Sequence, residues 1–355
     1  SPFDSALGML KFIPKAIRLK AVIPLYLNVS RYFRDFRHRF LFSFHPLFIG
    51  GNPFTSPSIY MMISYLEKAE GVWFTPGGMH SLVRAYADLF VEMGGTIRYG
   101  QEVRRIDVRD GRAVCVKTDS SEFPCDLVVS NADVGHTYRD LIDARNRRKY
   151  TDAKVAKFDQ SMSCFLLYLG VKKKYDKLEH HTLILSERYK ELVRDIFDRK
   201  VVPEDFSLYL HTPTRTDPSL APDGCESIYV LAPVANNRSG VDWKTLGPVM
   251  TERILSFLES WGLEGLRENL DVLKVVTPDD FQHGLNSLDG NAFGLTPSLL
   301  QTGFLRPHNR SEDVDNLYLV GAGTHPGAGV PGVLLSAEAM EKCVRQDYGL
   351  DAAAA

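Results

Sequence analysis

The segment that most constrains this chain is NLYLVGAGTHPGAGVPG, Asn316–Gly332. A short apolar stretch runs into a loop with glycines at 321, 323, 327, 329 and 332, and then into a helical pattern from about Val333 to Arg345. Glycine lets backbone N–H groups come close to a ligand, and a helix N-terminus adds partial positive charge. A strand–glycine loop–helix unit belongs in an α/β domain and suits a phosphate or another anionic group. Gly327, Gly329 and Gly332 satisfy GxGxxG. That spacing marks a dinucleotide fingerprint only directly after the first strand of a βαβ unit, with an acid about 20 residues later. Here Gly321–Pro326 intervene and Pro331 lies inside. The competing reading is a glycine-rich turn that only packs a helix on a sheet.

The remaining pattern is mixed. At 355 residues the chain exceeds one usual core, so two domains, or one interrupted by another, are expected. Residues 5–45 read as helix broken at Pro14 and Pro24, and 58–69 as a further helix. Gly71–Gly78 is a loop. Leu82, Tyr86, Leu89, Phe90 and Met93 follow helical spacing over Met79–Met93, and Gly94-Gly95 ends that helix. Thr96–Tyr99 reads as a short strand. Val103–Arg109 and Arg112–Thr118 flank Asp110-Gly111, a hairpin signal, and Asp126–Ser130 is a buried strand. Farther on, Ser161–Val171, Phe206–His211 and Ser227–Val234 read as strands and Leu246–Trp261 as an amphipathic helix. This middle region is expected to be an inserted α+β domain.

Charge is unevenly spread. Residues 1–50 carry Lys11, Lys15, Arg18, Lys20, Arg31, Arg34, Arg37 and Arg39 against Asp4 and Asp35, a balance of +6, which leaves −8 for the rest of a chain whose total is −2. That total gives no reason to expect nucleic acid. A basic segment with interleaved apolar residues reads either as a membrane-surface element or as a solvated helix face. Five scattered cysteines, with no CxxC, point to reduced thiols, a cytoplasmic setting and no metal cluster. No apolar run reaches the roughly 18 residues of a spanning helix. The opening SPFDSALGML has neither Met nor a basic n-region, so no signal peptide is read there.

Six stretches together resemble the bacterial-type phytoene desaturases: FSFHPLFIGGNPF (Phe42–Phe54), GVWFTPGG (Gly71–Gly78), SNADVGHTYRDL (Ser130–Leu141), DFSLYLHTPTRTDPSLAPDGC (Asp205–Cys225), FLRPHNR (Phe304–Arg310) and NLYLVGAGTHPGAGVPGV (Asn316–Val333). The resemblance covers nearly the whole chain. It implies the C-terminal portion of a Rossmann-like, amine-oxidase-like FAD-binding fold, mixed α/β and α+β, with an inserted substrate domain. The expected division is 1–70, a basic, membrane-facing helical part of the substrate domain; 71–135, an excursion of the FAD domain; 136–300, the substrate domain; and 301–350, the closing FAD strand, loop and helix. Members of the family carry a strand–GxGxxG segment at their start, and the chain is expected to begin downstream of it.

The resemblance also implies FAD as cofactor. Val103 would meet its adenine end, Asn131, Ala132 and Asp133 would lie along the dinucleotide, and Gly321, Ala322, Gly323, Thr324, Pro331, Gly332 and Val333 would line the pyrophosphate and flavin side. The implied reaction is desaturation of phytoene towards lycopene, by hydride loss followed by proton loss. Asp35, with Arg39 one turn later, is the first acid/base candidate, against the alternative of a surface ion pair. His45 and Tyr60 follow, a satisfied core histidine beside Phe42, Phe44 and Phe48 being the commoner reading of His45. His325 sits in the glycine loop with backbone bonding as its other reading, and His180-His181 has no partner at metal spacing. Expected partners are phytoene and related long-chain carotenoids and an anionic lipid surface, touched by Phe12, Ile13, Leu25 and Tyr26. The enzyme would be peripherally membrane-associated; a homo-oligomer is compatible with the sequence. Open alternatives are dehydrosqualene or another carotenoid as substrate, an isomerase or oxidase, a non-catalytic lipid-binding remnant, and an NAD-dependent dehydrogenase.

Overall fold

A computed structural model describes residues 13–350. Phe12, Lys11 and Asp4, named above, lie outside them. Chain contacts divide the molecule into two compact units, one of residues 1–66, 100–162 and 281–355, the other of 67–99 and 163–280. These boundaries differ from the expected 70, 135 and 300.

In the first unit, β1 (Val103–Arg109), β2 (Arg112–Thr118) and β3 (Glu122–Pro124) form an antiparallel sheet. Asp110 and Gly111 both take positive φ, 49° and 78°, as a two-residue turn matched to strand twist requires. β4 (Val128–Ser130) then pairs in parallel with β10 (Leu317–Leu319), with Leu317 beside Val128 and Leu319 beside Ser130. Tyr138, on the helix Val134–Leu141, stacks on Tyr150 at 4.3 Å. Both rings are buried with Ile106, Val155, Phe158, Leu317 and Leu319, and this is the unit's core. Among the described residues, the N-terminal part holds short helical stretches at 13–18, Leu25–Val29 and Phe36–Leu41 rather than one long broken helix. Prolines at 14, 24, 46, 53 and 57 interrupt the backbone ladder too often for more.

The second unit is built on an antiparallel sheet in the order β6 (His181–Ile184), β7 (Leu208–His211), β8 (Glu226–Val234), β5 (Ser163–Val171), β9 (Leu270–Val276). Burial alternates along β8: Ile228, Val230 and Ala232 are buried while Ser227, Tyr229 and Leu231 are partly open. Strand side chains point to opposite faces in turn, so one face carries the core. The helix Trp243–Trp261 covers it with Met250, Ile254, Leu255 and Leu258. Asp242 caps that helix by accepting from the Lys244 N–H. The helix Met79–Glu92 forms where its pattern places it, yet none of its residues is buried. Thr96–Tyr99 is not a strand. Gly94 and Gly100, both at positive φ, bracket it and leave no neighbour in register.

Candidate cofactor site

The site starts from the two parallel strands. β4 and β10 end together, and the Val320 N–H continues the ladder to the Ser130 carbonyl at 3.0 Å. The segments that follow them therefore leave side by side, at the carboxyl ends of parallel strands where α/β sheets bind ligands. Gly321 has φ +100°, and a Cβ there would lie 2.7 Å from Asn131 Oδ1. A Cβ on Gly323 would lie 2.7 Å from Val134 Cγ2. Only glycine permits this approach, so Asn131–Val134 and Gly321–Gly323 form one surface.

The loop is held from behind by residues to which the sequence reading assigned no role. Arg306 is buried, and its guanidinium donates to the carbonyls of Thr324 (3.0 Å), Gln301 (3.1 Å), Leu295 (3.2 Å) and Ala322 (2.6 Å). Burial lowers it to about 10, so it stays a cation at neutral pH. Asn309 Nδ2 donates to the carbonyls of Leu319, His325 and Ser336. Ser336 Oγ accepts from the Gly321 N–H at 2.8 Å and donates to the Val333 carbonyl at 2.6 Å, tying the start of the loop to the start of the next helix. Arg306 and Asn309 stand in FLRPHNR. Nothing local says that their side chains turn toward a loop some 15 residues on.

The closing helix, Val330–Asp347, has Gly329 as N-cap, no side-chain cap and no acid in its first turn. A Cβ on Gly332 would come within 2.6 Å of the Gly327 carbonyl. Val330 and Pro331 are exposed. The result is a solvent-facing helix start whose first N–H groups have no side-chain acceptor, above a buried cation. An anionic cofactor fits those donors.

The other predicted site residues fare differently. Asp133 caps the helix Val134–Leu141 through Oδ1, which accepts from Gly135 (2.7 Å) and His136 (3.2 Å), and its Oδ2 accepts from Asn291 (3.1 Å). Thr324 is fully buried and donates to the Pro307 carbonyl, so its hydroxyl turns away from the loop surface. The Ala322 carbonyl is taken by Arg306, and Ala132 is partly buried in the turn between Asn131 and Asp133. Val103 opens β1 opposite Thr118 and packs on the core of its unit.

Asp35 and Arg39 do not form the expected pair. Asp35 is the N-cap of Phe36–Leu41 and accepts from the Arg37 N–H, while Arg39 Nε donates to the Phe33 carbonyl at 2.8 Å. A capping carboxylate is turned onto its own first helical turn, which leaves it aimed away from the residue four places on. His45 is buried between Phe44, at 4.5 Å, and Phe48, at 6.3 Å. Its turn, His45–Ile49, abuts the closing helix: a Cβ on Gly329 would lie 3.7 Å from Ile49 Cγ2. Tyr60 hydroxyl meets Thr302 Oγ1 at 3.2 Å. The His325 N–H donates to the Pro307 carbonyl, and its own carbonyl accepts from Asn309. His180 and His181, expected to stand apart from other ligands, gain His211 as a neighbour.

A strand–loop–helix cradle of glycines, open to an anion and backed by an arginine, defines the class. The family model of flavin-containing amine oxidoreductases matches residues 9–340, and the chain belongs to that family. Its cofactor is FAD. Within the class the likeness narrows to carotenoid enzymes. The chain is 44% identical over 348 residues to the lycopene-forming phytoene desaturase of Pseudescherichia vulneris, covering 98% of this chain and 71% of that one. It is 43% identical to the corresponding enzyme of Pantoea ananas, with the same coverage. An oxidoreductase from Methanosarcina mazei superposes with a TM-score of 0.61 at 20% identity, over 94% of this chain and 72% of that one, and shows the shared fold.

Proposed function

We propose that this chain desaturates phytoene towards lycopene, removing one hydride and one proton across a carbon–carbon single bond of the hydrocarbon at each step. The observation that carries this reading is the 44% identity to a lycopene-forming phytoene desaturase along 98% of the chain. FAD, when bound, supplies the hydride acceptor. The C–H bonds of the substrate are not acidic, so hydride loss comes first. The allylic cation it leaves makes the neighbouring C–H acidic enough for a weak base.

The chain's own residues contribute positioning and electrostatics. The N–H groups of Val330 and Gly332, at a helix start that no side chain caps, offer partial positive charge to an anionic edge of the cofactor, and Arg306 adds a full charge behind the loop. Ser336 and Asn309 keep those donors fixed, which spares reorganisation during the reaction. His45 is the acid/base candidate favoured here, because its turn touches the start of the closing helix whereas the Asp35 carboxylate is engaged as a cap. Residues 100–162 and 281–350 are assigned to the cofactor, with Val103 at the adenine end, and the unit with the five-stranded sheet to the substrate.

The hydrocarbon must be drawn from a bilayer, and docking on anionic lipid is proposed for the N-terminal part. Ile17, Leu19, Leu27, Tyr32 and Phe36 are exposed there beside exposed Arg18, Lys20, Arg31, Arg34 and Arg37. Leu25, expected to insert, is fully buried, and Tyr26 packs on Phe54 at 4.6 Å. Among the described residues no helix is long and apolar enough to cross a membrane.

The test is expression of the full reading frame in cells that accumulate phytoene, with pigments separated and read by polyene absorbance. Loss of phytoene with new conjugated product is expected. Unchanged phytoene, with the protein folded and carrying flavin, would move the assignment to a different polyisoprenoid.

A further inference from the structure

In the unit built on the five-stranded sheet, three histidines meet that play no part in the site described above. His181 on β6 stands directly opposite His211 on β7, so their side chains share one face. His180 precedes β6, and its carbonyl accepts from the Thr212 N–H at 2.9 Å, which brings its ring to the same place. One nitrogen from each ring lies within 4.8 Å of the other two. The Nε2 atoms of His180 and His211 are 3.0 Å apart. We propose that His180, His181 and His211 bind one divalent transition metal ion of the zinc class, with a fourth coordination position left for water.

Three observations support the site. Two imidazole nitrogens on one tetrahedral zinc ion are about 3.4 Å apart, given metal–nitrogen bonds of about 2.0–2.1 Å, so the His180–His211 pair needs to open only slightly. The outer nitrogens are engaged: His180 Nδ1 hydrogen-bonds Thr216 Oγ1, and His181 Nδ1 hydrogen-bonds the Tyr209 hydroxyl at 2.8 Å. Such partners orient a ligating ring and set its tautomer. Finally, one side is closed by Phe74, whose ring stands edge-on to His180 at 4.9 Å and lies 5.9 Å from His211. Its loop, GVWFTPGG, is tied down where Asp217 accepts from the Gly77 N–H at 2.7 Å.

An all-imidazole set selects the metal. Calcium and magnesium demand oxygen ligands, whereas imidazole suits zinc, copper, nickel and cobalt. The ion would join β6, an edge strand of the sheet, to β7 and to the residue before it. In the metal-free chain a hydrogen bond links the two Nε2 atoms. A cation takes the place of that bridging proton, which moves to the Nδ1 of the ring that carried it.

The experiment uses the tag-free chain stripped with a chelator, titrated with Co2+ by visible absorption and with Zn2+ by calorimetry. One equivalent is expected, with the intense bands of four-coordinate cobalt. His180→Gln and His211→Gln should each weaken binding at least about tenfold, and Thr216→Ala, which removes only an orienting hydroxyl, by about tenfold. His80→Gln, on the exposed helix Met79–Glu92, should leave it unchanged. Zn2+ should also shield these three histidines of the unaltered chain from diethylpyrocarbonate, mapped by mass spectrometry, a readout that needs no variant to fold. Binding that survives His211→Gln, six-coordinate cobalt spectra alone, or shielding spread evenly over all histidines would overturn the assignment and leave a hydrogen-bonded histidine cluster. Flavin content and desaturation do not enter these readouts.

Discussion

Arg306 shows how much a single residue arranges. A buried guanidinium ordinarily faces a carboxylate, but here its four acceptors are backbone carbonyls, two of them in the glycine loop. Removing it leaves those oxygens without donors in a buried place, at a cost of about 1–3 kcal/mol for each oxygen that water cannot reach. Arg306→Met is therefore expected to lower unfolding free energy by about 3 kcal/mol in urea titration and to weaken FAD binding, followed by flavin fluorescence. Arg306→Lys keeps the charge but loses the planar fork, so it should restore only part of either. Wild-type flavin affinity in Arg306→Met would show that the loop does not depend on this clamp.

At the level of elements, the connection that leads into β10 is fastened to the turn at Arg148–Tyr150. Asp313 accepts from the N–H groups of Arg148, Lys149 and Tyr150, and Glu312 accepts from the Tyr150 hydroxyl at 2.6 Å, from His308 at 3.1 Å and from Lys149. Burial opposes the charge on Glu312, but hydrogen bonds from His308, Lys149 and Tyr150 outweigh it and bring the carboxyl down to about 2. The bond to Glu312 raises His308 above its usual range against the effect of burial. A depressed carboxylate stabilises the fold above its unfolded pKa, and that gain is lost as pH falls towards 2. A raised histidine stabilises it below about 6.5, and that gain is lost as pH rises through its folded value. The stability difference between wild type and Glu312→Gln should therefore peak between about pH 4.5 and 6.5, at about 2 kcal/mol, and shrink on both sides. Urea titrations at acidic, intermediate and alkaline pH check this; a difference independent of pH would show that the cluster adds no charge-dependent stability.

For the whole molecule, the uneven charge matters more than its sum. The +6 carried by residues 1–50 is offset elsewhere, so the lipid docking proposed above would act locally and at short range. Flotation with vesicles should show binding to anionic membranes, little to neutral ones, and release as salt rises past physiological strength. Replacing Arg31, Arg34 and Arg37 with Gln should cut the binding, by about 1 kcal/mol for each charge near the surface. Equal recovery on neutral and anionic vesicles would remove electrostatics from the account.

Short-range chemistry was legible along the chain. The hairpin around Asp110-Gly111 appears at its expected residues, because two adjacent positions tolerant of positive φ specify a turn without outside help. The helix Met79–Glu92 and the strand–glycine loop–helix at the end were legible for the same reason, and the stretches quoted for the resemblance led to FAD. The tertiary structure alone decided which side chains meet. Asp35 reads as a partner for Arg39 by spacing, yet it sits one place before its helix, where capping wins. β6 and β9 lack clear alternation and exist because β7 and β5 offer them a ladder. His211 lies thirty positions from His181, and only strand register puts them face to face. Arg306 has no local cue, since its acceptors are carbonyls that converge only once β10 pairs with β4. Backbone preferences act over a few residues and can be read along the chain; pairing and burial act across it, and set the positions of the groups that do chemistry.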